Sequence, residues 1–530
     1  MAENIHYTGT HHARRARSWR AFFIRLTALL LPLLALLLLE GVLRLLGYGH
    51  SHALFVKAPG HPGFLVMNRY ASEKFFTAAG NATTGNYELF REKKLPGTYR
   101  IFVLGESTTV GYPYMHNGSF HRWLQYRLMQ TFPSRNIEVI NVSLTAVNSY
   151  TVLSFGKAVL DYQPDAVLVY TGHNEYYGAQ GVGSTSKIGN RRWLVRAMLT
   201  LRDLRLVQLM QQGLSSRQKT DTTQNLLQRM AAQQVIAFGS KAYQQGVAQF
   251  TENMDALCSL YSRRKVPLLV STLVSNEKDL PPFIGNSARA LFTASRQLYG
   301  QGAYDAAAAG FRKAKDLDQL RFRAPEVMNA ILERLARKYP GVHLVDAHAV
   351  FAAHSPHGCI GNETLLEHVH PDLYGYALLS DAFYQGLQQA RLLPSLEGKT
   401  YTFEQLLADM PVTKVDTLFG VYDVMLLKKG WPFLQPIPDS FKVEASVAGR
   451  LAAELVSKRI TWNEAMDALM EYYQQTHDQR NIQRVAEAVM LEYNTDPLFY
   501  QYAAQYSAAA GDAAKAALYA RKAALLRNAE

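Results

Sequence analysis

Ser107, Asn174, Glu367 and His370 are residue types that together could perform acyl transfer. A serine hydroxyl is a weak nucleophile until a base takes its proton. His370 is the candidate base, and Glu367, three positions earlier in the stretch EHVHP, could hold the ring tautomer and stabilise the imidazolium. On a helical turn that spacing would put both side chains on one face. Asn174 carries an amide NH₂ suited to an oxyanion, alongside backbone N–H groups. Two rivals stand close in sequence: His368 for the base, and Asp372 for the acid.

These residues need elements to place them. Ile101–Leu104 is an apolar run followed by Gly105, which reads as a buried strand and a sharp turn that leaves Glu106 and Ser107 at the tip. A βα rhythm continues. RIFVLG is followed by a helical Ser119 to Phe132, a strand at Ile137 to Ser143, a helix from Ser149, and a strand at Asp165 to Gly172. Val266 to Ser275 and Val342 to His348 supply a fourth and a fifth strand. Strands alternating with helices predict a parallel sheet covered on both faces. Its strand tips are where ligands bind.

The tips carry four blocks in chain order: Gly105-Glu106-Ser107, Asn141 to Ala146 (NVSLTA), Gly172-His173-Asn174-Glu175, and Glu367 to Pro371. The set resembles the SGNH (GDSL) hydrolase family over roughly residues 99–393. A GxSxG elbow is absent, because Thr109 stands where the second glycine would be. The resemblance implies a flavodoxin-like α/β hydrolase domain. Its catalytic residues would be Ser107, His370 and Glu367, and its oxyanion hole Ser107, Ala146 and Asn174. Three positions depart from the family pattern: Glu106 replaces an aspartate, Ala146 a glycine, and Glu367 an aspartate. The alanine keeps its N–H but adds a methyl group. Asn276, in NEKDLPPF, and Tyr176 are candidates for lining a substrate groove.

Asp346, His348, His354, His357, Cys359, His368 and His370 are metal-ligand types within a short span. They show neither HExxH nor CxxC spacing, so no metal or other cofactor is expected. Cys258 and Cys359 could pair or remain as buried thiols.

The chain has 530 residues, is 48% hydrophobic and 19% charged, and carries a formal charge of +13. These are globular proportions. Part of the excess is local: Arg14, Arg15, Arg17, Arg20 and Arg25 face only Glu3. There is no zinc-finger spacing or RNA-binding signature, so nucleic acid is not an expected partner, whereas anionic lipid is.

The expected organisation is a basic cytoplasmic tail at 1–20, a transmembrane anchor at 21–46, and a linker at 47–96. The hydrolase-like domain covers 97–395, with helical insertions at about 178–245 and 285–320, and a helical module covers 396–530. The anchor has no small-residue cleavage site after its apolar run, which argues against a cleaved signal peptide. Arginines before it predict a cytoplasmic N-terminus and a periplasmic or extracytoplasmic bulk. Residues 287–320 and 496–526 show tetratricopeptide-like spacing and could dock protein partners. Location and resemblance together imply ester hydrolysis, or acyl (acetyl) transfer, on a cell-envelope glycan or lipid. The other reading is a catalytically silent scaffold or glycan-binding protein.

Overall fold

The computed structural model describes residues 10–77, 79–114, 116–186, 189, 191–215, 226–231, 235–396, 398 and 400–527. Residues 1–9 of the expected tail, Glu3 among them, lie outside the described residues, as do 187–188, 190, 216–225 and 232–234 of the expected insertion. The chain divides into two compact units: residues 1–52 with 196–220, and residues 53–195 with 221–530.

The first unit is built on one long helix, Thr10–Leu45. Its segment Ala21–Leu45 has 25 residues and a mean hydropathy of 2.5, and none of the residues in its most apolar 18-residue window is buried. At 1.5 Å per residue it is about 37 Å long, enough for a hydrocarbon core of about 30 Å. The helix Arg205–Ser215 packs beside it.

The second unit holds two sheets. The segment expected to be a linker carries strands β1 (Phe55–Lys57), β2 (Phe64–Met67) and β3 (Phe90–Arg91), paired antiparallel in the order β1-β2-β3. Short strands broken by Gly, Pro and Asn hide their alternation. The sheet is held instead by aromatic packing, with Phe90 4.7 Å from Phe55 and 5.5 Å from Phe102 between ring centroids.

The main sheet contains β4 (Tyr99–Gly105), β5 (Ile137–Asn141), β6 (Ala166–Tyr170), β7 (Leu268–Ser271) and β8 (Val342–Val345). All pair parallel, in the order β5-β4-β6-β7-β8. Every residue of β6 is buried, as a central parallel strand covered on both faces requires. One helix group pairs Phe120–Thr131 with Leu373–Gln389. The other joins Ser149–Ala158, Lys241–Arg264 and Glu326–Lys338. The chain steps from β4 to one side and returns to the other, so the topological switch point lies between β4 and β6.

Helical hairpins stand at both repeat-like stretches: Asn286–Gly300 with Tyr304–Leu317, and Pro497–Ala509 with Ala513–Arg527. Pairing alone does not make either a tetratricopeptide unit. The C-terminal helices start at capping boxes such as Thr413/Asp416 and Thr461/Glu464, and bury a core around Leu451, Trp462, Met466 and Val485. They share one compact unit with the α/β core: Asn117 Nδ2 donates to Ala488 O at 2.9 Å, and Lys522 Nζ to Phe132 O at 3.1 Å.

Candidate active site

Gly105 ends β4 where a Cβ would lie 2.2 Å from the Tyr170 carbonyl oxygen of β6, so only glycine lets the two strand ends close up here. The chain then turns into the short helix Ser107–Val110. Ser107 therefore stands at the switch point, half-buried between buried Glu106 and Thr108.

Ser107 Oγ lies 2.8 Å from His370 Nε2. His370 Nδ1 is hydrogen-bonded to Glu367 Oε1. Serine, histidine and acid thus form one row, across 263 residues of sequence between the first two. The row is not built on a helical turn. Residues 365–371 form a tight loop closed by Leu366 N to His370 O at 2.9 Å and an isolated bridge between Leu365 and Pro371. The Glu367 carboxylate is placed by backbone donors: His368 N at 2.7 Å and His370 N at 2.9 Å.

The rivals have other work. Asp372 caps the helix Leu373–Gln389, accepting from Gly375 N at 2.7 Å. The His368 ring packs on Phe433 at 5.5 Å and Phe322 at 5.9 Å between centroids, beside Glu367 rather than Ser107. Among the described metal-ligand types, Glu367, His368 and His370 converge, but both ring nitrogens of His370 are engaged by Ser107 and Glu367. The rest disperse. Asp346 caps a helix, His348 faces Glu277 at 3.2 Å, and His357 stacks on Tyr304. Cys258 and Cys359 are separate buried thiols.

The other blocks are laced to Ser107. Leu144 N donates to Gly105 O at 3.4 Å, and Ala179 N to Ala146 O at 2.9 Å. The Glu106 carboxylate accepts from Thr171 Oγ1 at 2.6 Å, Gly172 N at 2.9 Å and Asn174 N at 2.9 Å. Glu106 is thus a clamp on the Asn174 loop, a role not visible in its position beside the serine. Ala146 holds a left-handed backbone, φ 56°, which costs an alanine about 1–2 kcal/mol. Ser107, Ala146 and Asn174 are half-buried, while Glu106, His173 and Glu175 are buried. The N–H groups of Ser107 and Ala146 have no acceptor among the described residues.

Burial pushes His370 down to about 3, with Asp423 pulling the other way. The imidazole is therefore neutral at rest, as a general base must be. Burial pushes Glu106 up to about 7, against the bonds from Thr171, Asn174 and Gly172. Asp423 belongs to the C-terminal helix Lys414–Lys429 and is hydrogen-bonded to Tyr112, whose ring meets the His370 ring edge-on at 4.8 Å. No sequence signal marks either residue, because the contact is tertiary.

Tyr176 and Asn276 are both buried. Tyr176 is 1% exposed, packs against Gly246 and donates to Tyr243 O at 3.2 Å. Asn276 is 1% exposed, bonds Asn362 Oδ1 at 2.8 Å and binds the final block through His368 O at 2.9 Å. Both hold the scaffold.

No family model and no curated protein matches the chain. Solved structures with a similar α/β core include three hydrolases. An α/β hydrolase from the Lake Arreo metagenome is 14% identical, at TM-score 0.29, over 56% of this chain and 97% of that one. A GDSL-like lipase from Bacteroides thetaiotaomicron is 12% identical, at TM-score 0.30, over 61% and 97%. A lipase/acylhydrolase from Enterococcus faecalis is 15% identical, at TM-score 0.28, over 55% and 96%. Likenesses this distant carry no weight for chemistry, and the row from Ser107 through His370 to Glu367 stands without them.

Proposed function

We propose that the protein is a membrane-anchored serine esterase of SGNH type. The carrying observation is the 2.8 Å approach of Ser107 Oγ to the Nε2 of a buried histidine whose Nδ1 meets a carboxylate. In the first half-reaction Ser107 Oγ attacks the ester carbonyl as its proton passes to His370 Nε2. Glu367 holds the ring and supports the imidazolium. The N–H groups of Ser107 and Ala146, with the Asn174 amide, receive the oxyanion. Collapse breaks the ester C–O bond, and His370 returns the proton to the leaving oxygen. This leaves an acyl group on Ser107. Water, or an acceptor hydroxyl in the transferase version, then gives its proton to His370 and attacks the acyl carbon, restoring Ser107.

The substrate class is an acylated, in particular acetylated, glycan or lipid of the cell envelope. Support comes from the apolar N-terminal helix, which would tether the catalytic unit to the inner membrane with its N-terminus inside and the bulk outside. The C-terminal helices, tetratricopeptide-like in spacing, would dock protein partners. The test is hydrolysis of p-nitrophenyl acetate by the full chain in detergent. Wild type should turn over, while Ser107→Ala and His370→Ala should fall to the uncatalysed rate. Equal rates in all three would refute the enzyme reading.

A further inference from the structure

The first unit contains more than a spanning helix. Glu40, inside the apolar segment, accepts from Arg205 N at 3.0 Å and Leu206 N at 2.9 Å, and so caps the start of the helix Arg205–Ser215. Arg44 Nε holds the same carboxylate at 2.7 Å. The helix's glutamine face is tied to the chain just past the span. Gln208 Nε2 donates to His50 O at 3.0 Å, its Oε1 accepts from His50 N at 2.9 Å, and Gln212 bonds Tyr48. On the same helix Leu209 is 40% exposed, and Met210, opposite Gln208, is 61% exposed. Leu201 and Leu204, just before the helix, are 51% and 36% exposed.

Glu40 precedes the end of the apolar segment at Leu45 by five residues, about 7.5 Å along the axis. Amphipathic helices that lie on membranes bury their apolar face by about 5–10 Å at the headgroup–acyl boundary. The depth at which Glu40 pins Arg205 is that depth. Exposed Arg196 and half-buried Arg205 supply positive charge of the kind such helices direct to headgroups. Glu40 itself is spent on capping and on Arg44.

From this geometry we infer that the stretch Arg196–Ser215 is an interfacial lipid-binding element. Leu201, Leu204, Leu209 and Met210 insert into the outer leaflet, while Gln208 and Gln212 lock the element to the end of the span. The occupant of this apolar face is the lipid that surrounds Ala21–Leu45, because the two surfaces are continuous. The inference rests on the reading of that helix as a membrane anchor.

The test uses the full chain with Met210→Cys, labelled with the fluorophore NBD and reconstituted in phosphatidylcholine–phosphatidylglycerol vesicles. Cys258 and Cys359 are buried and do not compete for the label. The label should lose most of its emission to a doxyl quencher carried on lipid near the headgroup, and be sheltered from aqueous iodide. Quenching by iodide with none by doxyl lipid would overturn the inference. So would shelter from both that appears only at high protein-to-lipid ratio, since a second copy would then cover the face. Alkaline carbonate extraction separates the two claims. Release of the chain from vesicles defeats the anchor reading, whereas retention with an iodide-accessible label defeats the interfacial element alone.

Discussion

Ser107 Oγ stands 2.8 Å from His370 Nε2, and Ser119 Oγ stands 2.7 Å from His121 Nδ1, in the same molecule. His121 Nε2 in turn lies 2.7 Å from Glu88, so a second serine–histidine–glutamate row exists. What separates them is access. Ser119 and His121 are 0% exposed, whereas Ser107 is half-buried at a strand tip. A row of side chains is therefore insufficient; the nucleophile also needs an opening and donors for the oxyanion.

The acid of the row should separate cleanly from its neighbour. Glu367→Gln removes the charge that supports the imidazolium and should lower kcat by about 10²–10⁴. Asp372→Ala removes a helix cap and should cost about 1 kcal/mol of stability. Turnover per folded molecule should survive it. Kinetics and urea melts on both variants check this; the opposite pattern would move the acid to Asp372.

Asn174→Ala should lower kcat by about 10²–10³, the usual loss of one oxyanion donor. The Asn174 backbone, not its side chain, bonds Glu106, so the loop should stay in place and the melting temperature should hardly change. A large drop in melting temperature with kcat unchanged would make the residue structural.

Two groups could set the acid limb of kcat/KM, and they titrate far apart. His370, pushed down to about 3, stays neutral through the working range. Glu106, pushed up to about 7, takes a proton as pH falls through that value and gives up an acceptor needed by Thr171, Gly172 and Asn174. The profile should therefore fall below about pH 7 and keep that midpoint in Asp423→Asn, which can only lower His370 further. A midpoint that moves to lower pH in Asp423→Asn would assign the limb to His370.

Ala146→Gly should stabilise the protein by about 1 kcal/mol, because glycine adopts the left-handed backbone without the Cβ penalty. Urea unfolding of the two chains measures it. A loss of stability would mean that the methyl group packs usefully.

The strands and the four blocks were legible because a parallel sheet buries its strands as continuous apolar runs, and the blocks fall at their ends. Ser107, Glu367 and His370 could be named from type and spacing, although the predicted helical turn is a loop ordered by the Glu367 carboxylate. The β1-β2-β3 sheet was hidden, since strands of two to four residues carry no period. The burial of Tyr176 and Asn276 was not legible, because aromatic and polar residues after a strand look alike whether they face a groove or a packed insertion. Glu106 as a clamp and Asp423 as a charge near His370 depend on contacts between residues more than about 50 positions apart, which local pattern does not encode.

The central claim is that Ser107, and not the enclosed Ser119, is the nucleophile. The most direct measurement is peptide mass spectrometry of the full chain after reaction with a fluorophosphonate. The account predicts one adduct, on the peptide containing Ser107, absent from His370→Ala. An adduct on Ser119, or none on a wild-type chain that hydrolyses the test ester, would contradict it.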